Sequence, residues 1–295
     1  MTVLVIGATG RTASHLVTCL MRDGVPVRAL VRDRDKAETM FRATRRLATG
    51  HLEFVSGPFD DPALLLSATK GVDAAFLALS TSPQQIALER NIIDAAARAE
   101  LPHLVRLSVF DADLDAGYEI GRRHGELDAY LAASGVPHTL LRPTYFSSNL
   151  LLAAPSIAAT SRWTGLVPDG RVALVDTRDV AEAAAVVLRD PAGRGAAYQL
   201  TGPEALTFTE IAERFSRMLG RRISYDAAAE AHVRAAMAAR GVPDWLADIA
   251  IGIDLAMQAG RHSQVTDEIR ALTGMAPRPL EAFVEPNRAT YIPAG

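Results

Sequence analysis

A single cysteine, Cys19, stands among the 295 residues, so the chain forms no internal disulfide and suits a reducing compartment. It falls inside the first expected helix, where a small buried hydrophobe is the plain reading. No apolar run approaches the ~18 residues that cross a bilayer. Met1 leads straight into a strand, without the charged stretch, hydrophobic segment and cleavage site of a secretion signal. A cytoplasmic protein is therefore expected. Charge of one sign is lacking as well: the formal net charge is −3, whereas nucleic acids and anionic membranes require a basic surface. Neither is expected as a partner. The densest basic cluster, Arg42, Arg45 and Arg46, reads as a solvated helix end. Histidines at His-x-x-x-His spacing are missing, and one cysteine cannot build a structural zinc site, so no metal is expected. No Gly-x-Ser-x-Gly elbow offers a serine nucleophile.

What is present is an ordinary globular composition, 49% apolar and 22% charged. The length lies near the limit of one hydrophobic core, so a large domain with a smaller lobe is expected. Val3-Leu4-Val5-Ile6 is apolar on both faces, as a strand buried in a parallel sheet must be. The same texture recurs at 25–31, 52–55, 74–79, 104–108 and 139–141. Helical patterns at 12–21, 35–44, 62–69, 84–99 and 121–133 separate these runs. Such alternation predicts an α/β fold, a doubly wound parallel Rossmann sheet. After Pro143 the chain turns alanine-rich, with turns at Pro168-Asp169-Gly170, Pro191-Ala192-Gly193 and Gly202-Pro203. Short strands are expected at 172–175 and 198–200, and a helix at 180–188 capped by Asp179. Further helices are expected at 207–219, 227–239, 243–258 and 266–273. Residues 1–150 thus read as the sheet domain, with 172–190 returning to it. Residues 151–295 read as a smaller, mostly helical substrate lobe.

Strand 1 runs into Gly7-Ala8-Thr9-Gly10-Arg11-Thr12-Ala13 and then a helix. Gly7 allows a tight turn, Gly10 lets backbone approach a pyrophosphate, and Ala13 permits close helix–strand packing. The free N–H groups of the helix start favour phosphate. Thr9, Arg11 and Thr12 lie in the same turn. Strand 2 ends in Arg32, where an NAD(H) site places a carboxylate for the ribose. A guanidinium there forks onto a 2′-phosphate, so NADP(H) is expected, while neighbouring Asp33 leaves NAD(H) open. Phe59 and Asp60 after strand 3 are placed to flank adenine. Leu79, Ser80 and Thr81 after strand 4 suit the pyrophosphate–ribose run. Both segments also read as plain turn and cap chemistry.

Several segments taken together carry a family likeness. They are Gly7-Ala8-Thr9-Gly10, Val27-Arg28-Ala29-Leu30-Val31-Arg32, Gly71-Val72-Asp73 and His124-Gly125-Glu126-Leu127. The series continues through Ser134-Gly135-Val136-Pro137, Leu141-Arg142-Pro143-Thr144-Tyr145-Phe146 and Asn149-Leu150-Leu151. Val175-Asp176-Thr177-Arg178-Asp179-Val180-Ala181 and Leu200-Thr201-Gly202-Pro203-Glu204 complete it. In these the chain resembles the NmrA-like branch of the atypical short-chain dehydrogenase/reductases over nearly its whole length. The resemblance implies a Rossmann domain, NADP(H) and a variable substrate lobe. It also implies a family of quinone, aromatic-ring and ether reductases alongside redox-sensing regulators.

Conventional relatives carry a Tyr-x-x-x-Lys pair on the helix before the Ser-Gly turn. Counting back from Ser134 puts His124 at the lysine position and Ile120 at the tyrosine position, so the acid is absent. His124 is the expected replacement, either as proton donor or holding the cofactor ribose; a histidine without a role reads as well. Ser108 stands at the family's substrate-facing serine, or satisfies local backbone. Tyr145, Phe146 and Asn149 follow strand 6 and are expected to form a flat substrate slot, with core packing the competing reading for Phe146. Tyr118 lines the entrance if its loop folds inward. A quinone needs less acid catalysis than a ketone, because its product oxygen is a stabilised phenolate. The expected activity is therefore NADPH-dependent hydride transfer to a quinone-like or polycyclic conjugated carbonyl substrate. The alternatives are an NADP(H)-sensing regulator acting through a protein partner, or a cofactor-bound enzyme of net non-redox chemistry. A homodimer is the default expectation for assembly.

Overall fold

Residues 1–190 and 193–293 are described by the computed structural model, so the expected turn at 191–193 lies largely outside the described residues. The first half alternates strand and helix: β1 (Val3–Ile6), α1 (Arg11–Arg22), β2 (Val27–Val31), α2 (Arg34–Met40), α3 (Arg42–Leu47), β3 (Leu52–Ser56), α4 (Pro62–Thr69), β4 (Ala74–Leu77), α5 (Gln85–Arg98), β5 (Leu104–Leu107), α6 (Glu119–Ala133) and β6 (His138–Pro143). A 3-10 segment, Ser147–Ala153, leads into α7 (Ala154–Thr160), β7 (Arg162–Gly165), β8 (Arg171–Val172), α8 (Thr177–Arg189) and β9 (Ala197–Leu200). The remainder is β10 (Leu206–Thr207), α9 (Phe208–Leu219), β11 (Ser224–Ala227), α10 (Glu230–Ala239), α11 (Asp244–Gln258), α12 (Glu268–Thr273), α13 (Leu280–Val284) and a 3-10 turn, Glu285–Tyr291.

Seven strands form one parallel sheet in the order β3-β2-β1-β4-β5-β6-β9. The order reverses direction at β1, which opens a crevice at the carboxyl ends of β1 and β4. Burial on both faces explains the apolar texture: α1, α2 and α8 cover one side, and α4, α5 and α6 the other. A second core unites the lobe around Phe208, Ile211, Phe215, Met257 and Tyr291. A third, smaller cluster sews the two bodies together. In it Tyr118 and Ile120 at the start of α6 meet Ile249 and Ala256 of α11.

Four local expectations are corrected. The strand at 197–200, assigned to the lobe, is the last strand of the main sheet, because α8 packs against α1 and returns the chain parallel to β6. The cap of α8 is Asp176, whose carboxylate accepts from the Arg178 N–H at 2.8 Å. Asp179 is instead buried inside the helix and accepts from the Arg278 backbone N–H at 2.7 Å and from its guanidinium. The single helix expected over 35–44 breaks at Phe41, whose ring is buried against Phe54. The helix expected from 227 starts at Glu230, after residues 224–227 pair with β7 as β11.

Candidate active site

At the carboxyl end of β1 the backbone itself forms a cradle. Gly7 has φ +74°, which a side chain disfavours, and its N–H donates to the Leu30 carbonyl at 3.1 Å. A Cβ on Gly7 would overlap the Ala78 carbonyl. The Gly10 N–H closes the turn on the Gly7 carbonyl at 2.8 Å. Gly10 is also the N-cap of α1, and no side chain caps that helix or places an acid in its first turn. The first amides of α1 are thus left without a side-chain acceptor, at the positive end of the helix dipole. Ala13 is buried against the sheet, as close packing requires. Leu79 packs beside Gly7, Ser80 is exposed and Thr81 half-buried, so the β4 turn forms the opposite lip. Thr9 is half-buried and Thr12 buried within the turn. Arg11 is exposed and reaches across the crevice, donating to the Ser148 carbonyl and Oγ, both at 3.2 Å. It thereby ties α1 to the segment that enters the lobe.

At the end of β2 the exposed Arg32 guanidinium stands 5.9 Å from the centre of the buried Phe59 ring. It borders an open groove lined also by Asp33, Arg34, Asp35, Ser56 and Gly57. Among the described residues Arg32 has no carboxylate partner. Asp33 is spent locally, its carboxylate capping α2 by accepting from the Lys36 N–H at 3.0 Å. Exposed Asp60 lies in the loop after β3, while its neighbour Asp61 caps α4. A cradle that a Cβ would fill, with an unpaired cation one strand away, fits a dinucleotide bearing a 2′-phosphate.

His124 and Ser108, the catalytic candidates read from the sequence, are both buried. His124 is 6% exposed; its Nδ1 accepts from Arg106 at 3.2 Å, and its Nε2 faces the Gln85 amide at 3.4 Å. Burial, and then the charges of Arg106 and Arg123, hold the imidazole well below its ordinary range. His124 is therefore a neutral, enclosed imidazole in this structure. Ser108 is likewise buried, its Oγ donating to Asp128 at 2.9 Å. Tyr118 has folded inward, but it donates its hydroxyl to the Phe110 carbonyl at 3.0 Å and does not line an entrance. Burial pushes that phenol up to about 12. Phe146 packs into the main core, whereas the half-buried Tyr145 packs on the lobe core and is hydrogen-bonded to Asn149. Burial, and secondarily Asp254, push the Tyr145 phenol upward.

Sequence reasoning missed the buried ionic network beneath these groups. Arg106, fully buried in β5, donates to Glu89 at 2.8 Å and to Asp128, and half-buried Arg142 donates to Asp128 at 2.9 Å. Gln85 donates to Glu89 at 2.9 Å. The network locks α5, β5, α6 and β6 together under the crevice. A charged residue in the apolar run Leu104-Val105-Arg106-Leu107 was its one local signal.

The lobe supplies one further carboxylate, Asp254 on α11, half-buried without a cation partner among the described residues and accepting the Leu166 N–H. Burial pushes its carboxyl up to about 6 from an ordinary 3.8. A folded-state value above the unfolded one means stability falls as pH rises from about 4 to about 6, then stays lower. Asp254→Asn keeps an acceptor and removes the charge. It is expected to stabilise the protein by about 2–3 kcal/mol at pH 8 and by almost nothing at pH 4. Guanidinium titrations at the two pH values check this; equal effects at both would contradict it.

Among the described residues no helix is long and apolar enough to cross a membrane, and no three or more His, Cys, Asp or Glu side chains could hold a metal ion. A sequence profile of the NmrA-like family matches residues 1–271. Over 292 residues the chain is 35% identical to the (4-alkanoyl-5-oxo-2,5-dihydrofuran-3-yl)methyl phosphate reductase of Streptomyces griseus, spanning 99% of each. It is 30% identical to the NAD(P)H azoreductase of Xenophilus azovorans over 289 residues, 98% of this chain and 99% of that one. The crystal structure of an NADPH-dependent quinone oxidoreductase of Escherichia coli complexed with NADPH aligns with a TM-score of 0.87. That alignment has 28% identity and covers 97% of this chain and 99% of the other.

Proposed function

Because this chain belongs to the NmrA-like family, we propose that it is an NADPH-dependent oxidoreductase reducing a quinone-like or polycyclic conjugated carbonyl substrate. The observation that carries the cofactor preference is Arg32, unpaired at the end of β2 while Asp33 is turned into a helix cap. When bound, NADPH supplies a hydride from its nicotinamide ring. The amides from Gly7 to Thr12 hold the pyrophosphate, Arg32 the 2′-phosphate, and Phe59 with Asp60 the adenine end. Leu79, Ser80 and Thr81 border the ribose run. The acceptor class follows from the protons this chain can offer. Ile120 stands where the family's acid would be, and His124 four residues on is enclosed and neutral. An acceptor whose reduced oxygen is a delocalised phenolate takes its proton from water. Positioning of the reactants then carries the rate. The quinone and azo reductases among the relatives support acceptors of this kind.

The test is NADPH and NADH oxidation against a panel of quinones and polycyclic ketones, with cofactor binding measured in parallel. Turnover is expected with quinones, at a kcat/KM for NADPH at least about tenfold above NADH, the size of one charge-assisted contact. Arg32→Glu is expected to weaken NADPH about a hundredfold and NADH no more than a few-fold. Equal losses would remove the cofactor assignment. Tight NADPH binding without turnover of any acceptor would favour a redox-sensing regulator.

A further inference from the structure

His262 follows α11, and its backbone carbonyl accepts the Ala173 N–H at 2.9 Å. Thr144, at the carboxyl end of β6, donates its Oγ1 to the Ala173 carbonyl at 2.5 Å. These bonds pin His262 beside the carboxyl ends of β5 and β6, where ligands bind in such sheets. Its ring centre lies 6.0 Å from those of both Phe110 and Tyr118, and the residue is 5% exposed. Neither ring nitrogen has a hydrogen-bond partner among the described residues. Buried polar atoms left unpaired are costly and rare, and a ligand that completes them is one reason a fold keeps them.

The neighbouring polar groups are already engaged. Tyr118 donates to the Phe110 carbonyl and Ser108 to Asp128. Arg261 points outward, its guanidinium 3.7 Å from the Asp111 carboxylate. Burial, and then Arg261, hold the His262 imidazole down at about 4, so near neutrality it carries one free N–H and one bare nitrogen.

We propose that His262 is the residue that hydrogen-bonds the acceptor's carbonyl oxygen, through the unpaired N–H of its ring. The proposal rests on the quinone-reducing reading above. In that reaction a quinone gains two electrons and one hydrogen as hydride from NADPH, which is left as NADP+. Its second oxygen, now anionic, takes a proton from water to complete the hydroquinone. The imidazole keeps its own proton throughout and stabilises the developing charge as a fixed donor, a task a neutral ring performs without being an acid.

Two variants and one resonance test this. His262→Phe fills the space without a donor, and His262→Gln restores one. With 1,4-naphthoquinone, His262→Phe is expected to lower kcat about a hundredfold, as loss of an oxyanion donor does. The Kd for NADPH should stay within about twofold, because the ring lies away from the phosphate cradle, and His262→Gln should recover most of the loss. Independently of turnover, the 15N resonances of the His262 ring, assigned through their absence in His262→Phe, should move when 1,4-naphthoquinone is added to the NADP+-loaded protein. A folded His262→Phe with near-normal kcat, or ring resonances unmoved by the quinone, would overturn the proposal and leave His262 a partner for buried water only. If His262→Phe does not fold, His262→Gln must still bring the ring-free enzyme close to wild-type kcat, and the resonances, assigned through that variant, must still shift. If the wild-type protein reduces no quinone, the functional reading fails by itself, and the resonance shift still decides the contact.

Discussion

Arg106→Met is expected to cost about 3–5 kcal/mol of stability, because it removes the buried cation that two buried carboxylates share. The guanidinium is completely buried and bonds Glu89 on α5, Asp128 on α6 and the His124 ring at once. Methionine matches its length and apolar stem, so the loss reports the uncompensated charges and not a cavity. Asp128 keeps a half-buried cation in Arg142, but Glu89 keeps only the Gln85 amide. Glu89 therefore carries most of the penalty. Adding Glu89→Gln and Asp128→Asn to Arg106→Met should recover at least half of it, since neutral partners need no counter-charge. Denaturant unfolding of the three proteins measures this. A loss under about 1 kcal/mol for the single variant would mean that water reaches the network.

Gly7→Ala is the second large effect, and it strikes binding and stability together. The backbone at Gly7 is left-handed, costing an L-residue about 1–2 kcal/mol. The added Cβ would also overlap the Ala78 carbonyl, so β4 or the turn must shift. Such a forced movement costs a further ~1–3 kcal/mol. A displaced turn no longer aims its amides at one point, and the Kd for NADPH should rise by more than about a hundredfold. Gly10→Ala separates the two contributions. Its φ of −70° suits any residue, and a Cβ there meets the Gly7 carbonyl oxygen at 3.1 Å and the Ala13 Cβ at an ordinary 4.0 Å. Stability should fall by less than about 1 kcal/mol while cofactor affinity still drops, because the methyl group occupies the cradle. Unfolding curves and NADPH fluorescence titrations of both variants distinguish them; a Gly7→Ala protein of wild-type affinity would refute the cradle.

These expectations differ in how early they become visible. The buried strands, the helices between them and the glycine turn follow from patterns a few residues long: apolar runs, 3.6-residue periodicity and Gly-x-x-Gly opening a helix. Arg32 is legible for the same reason, as the residue that ends the second strand. The strand at 197–200 shows where local pattern stops. Its residues announce a strand, but only the path of α8 back across α1 decides that it pairs with β6 and not within the lobe.

The candidate chemistry was the least legible, because it depends on contacts between residues far apart in the chain. Counting positions placed His124 and Ser108 on the correct elements. It could not reveal that Arg106, 18 residues before His124 and two before Ser108, draws both into a buried network. Tyr118 and His262 meet across 144 positions, and Asp254 reaches Tyr145 only because α11 folds over the start of α6. By itself, then, the order of residues determined a Rossmann sheet, its glycine turn and a cation at the end of the second strand, since neighbours along the chain suffice for each. Only the tertiary structure decided which polar groups are spent on one another and which remain free for a substrate, since burial and pairing belong to the packed molecule.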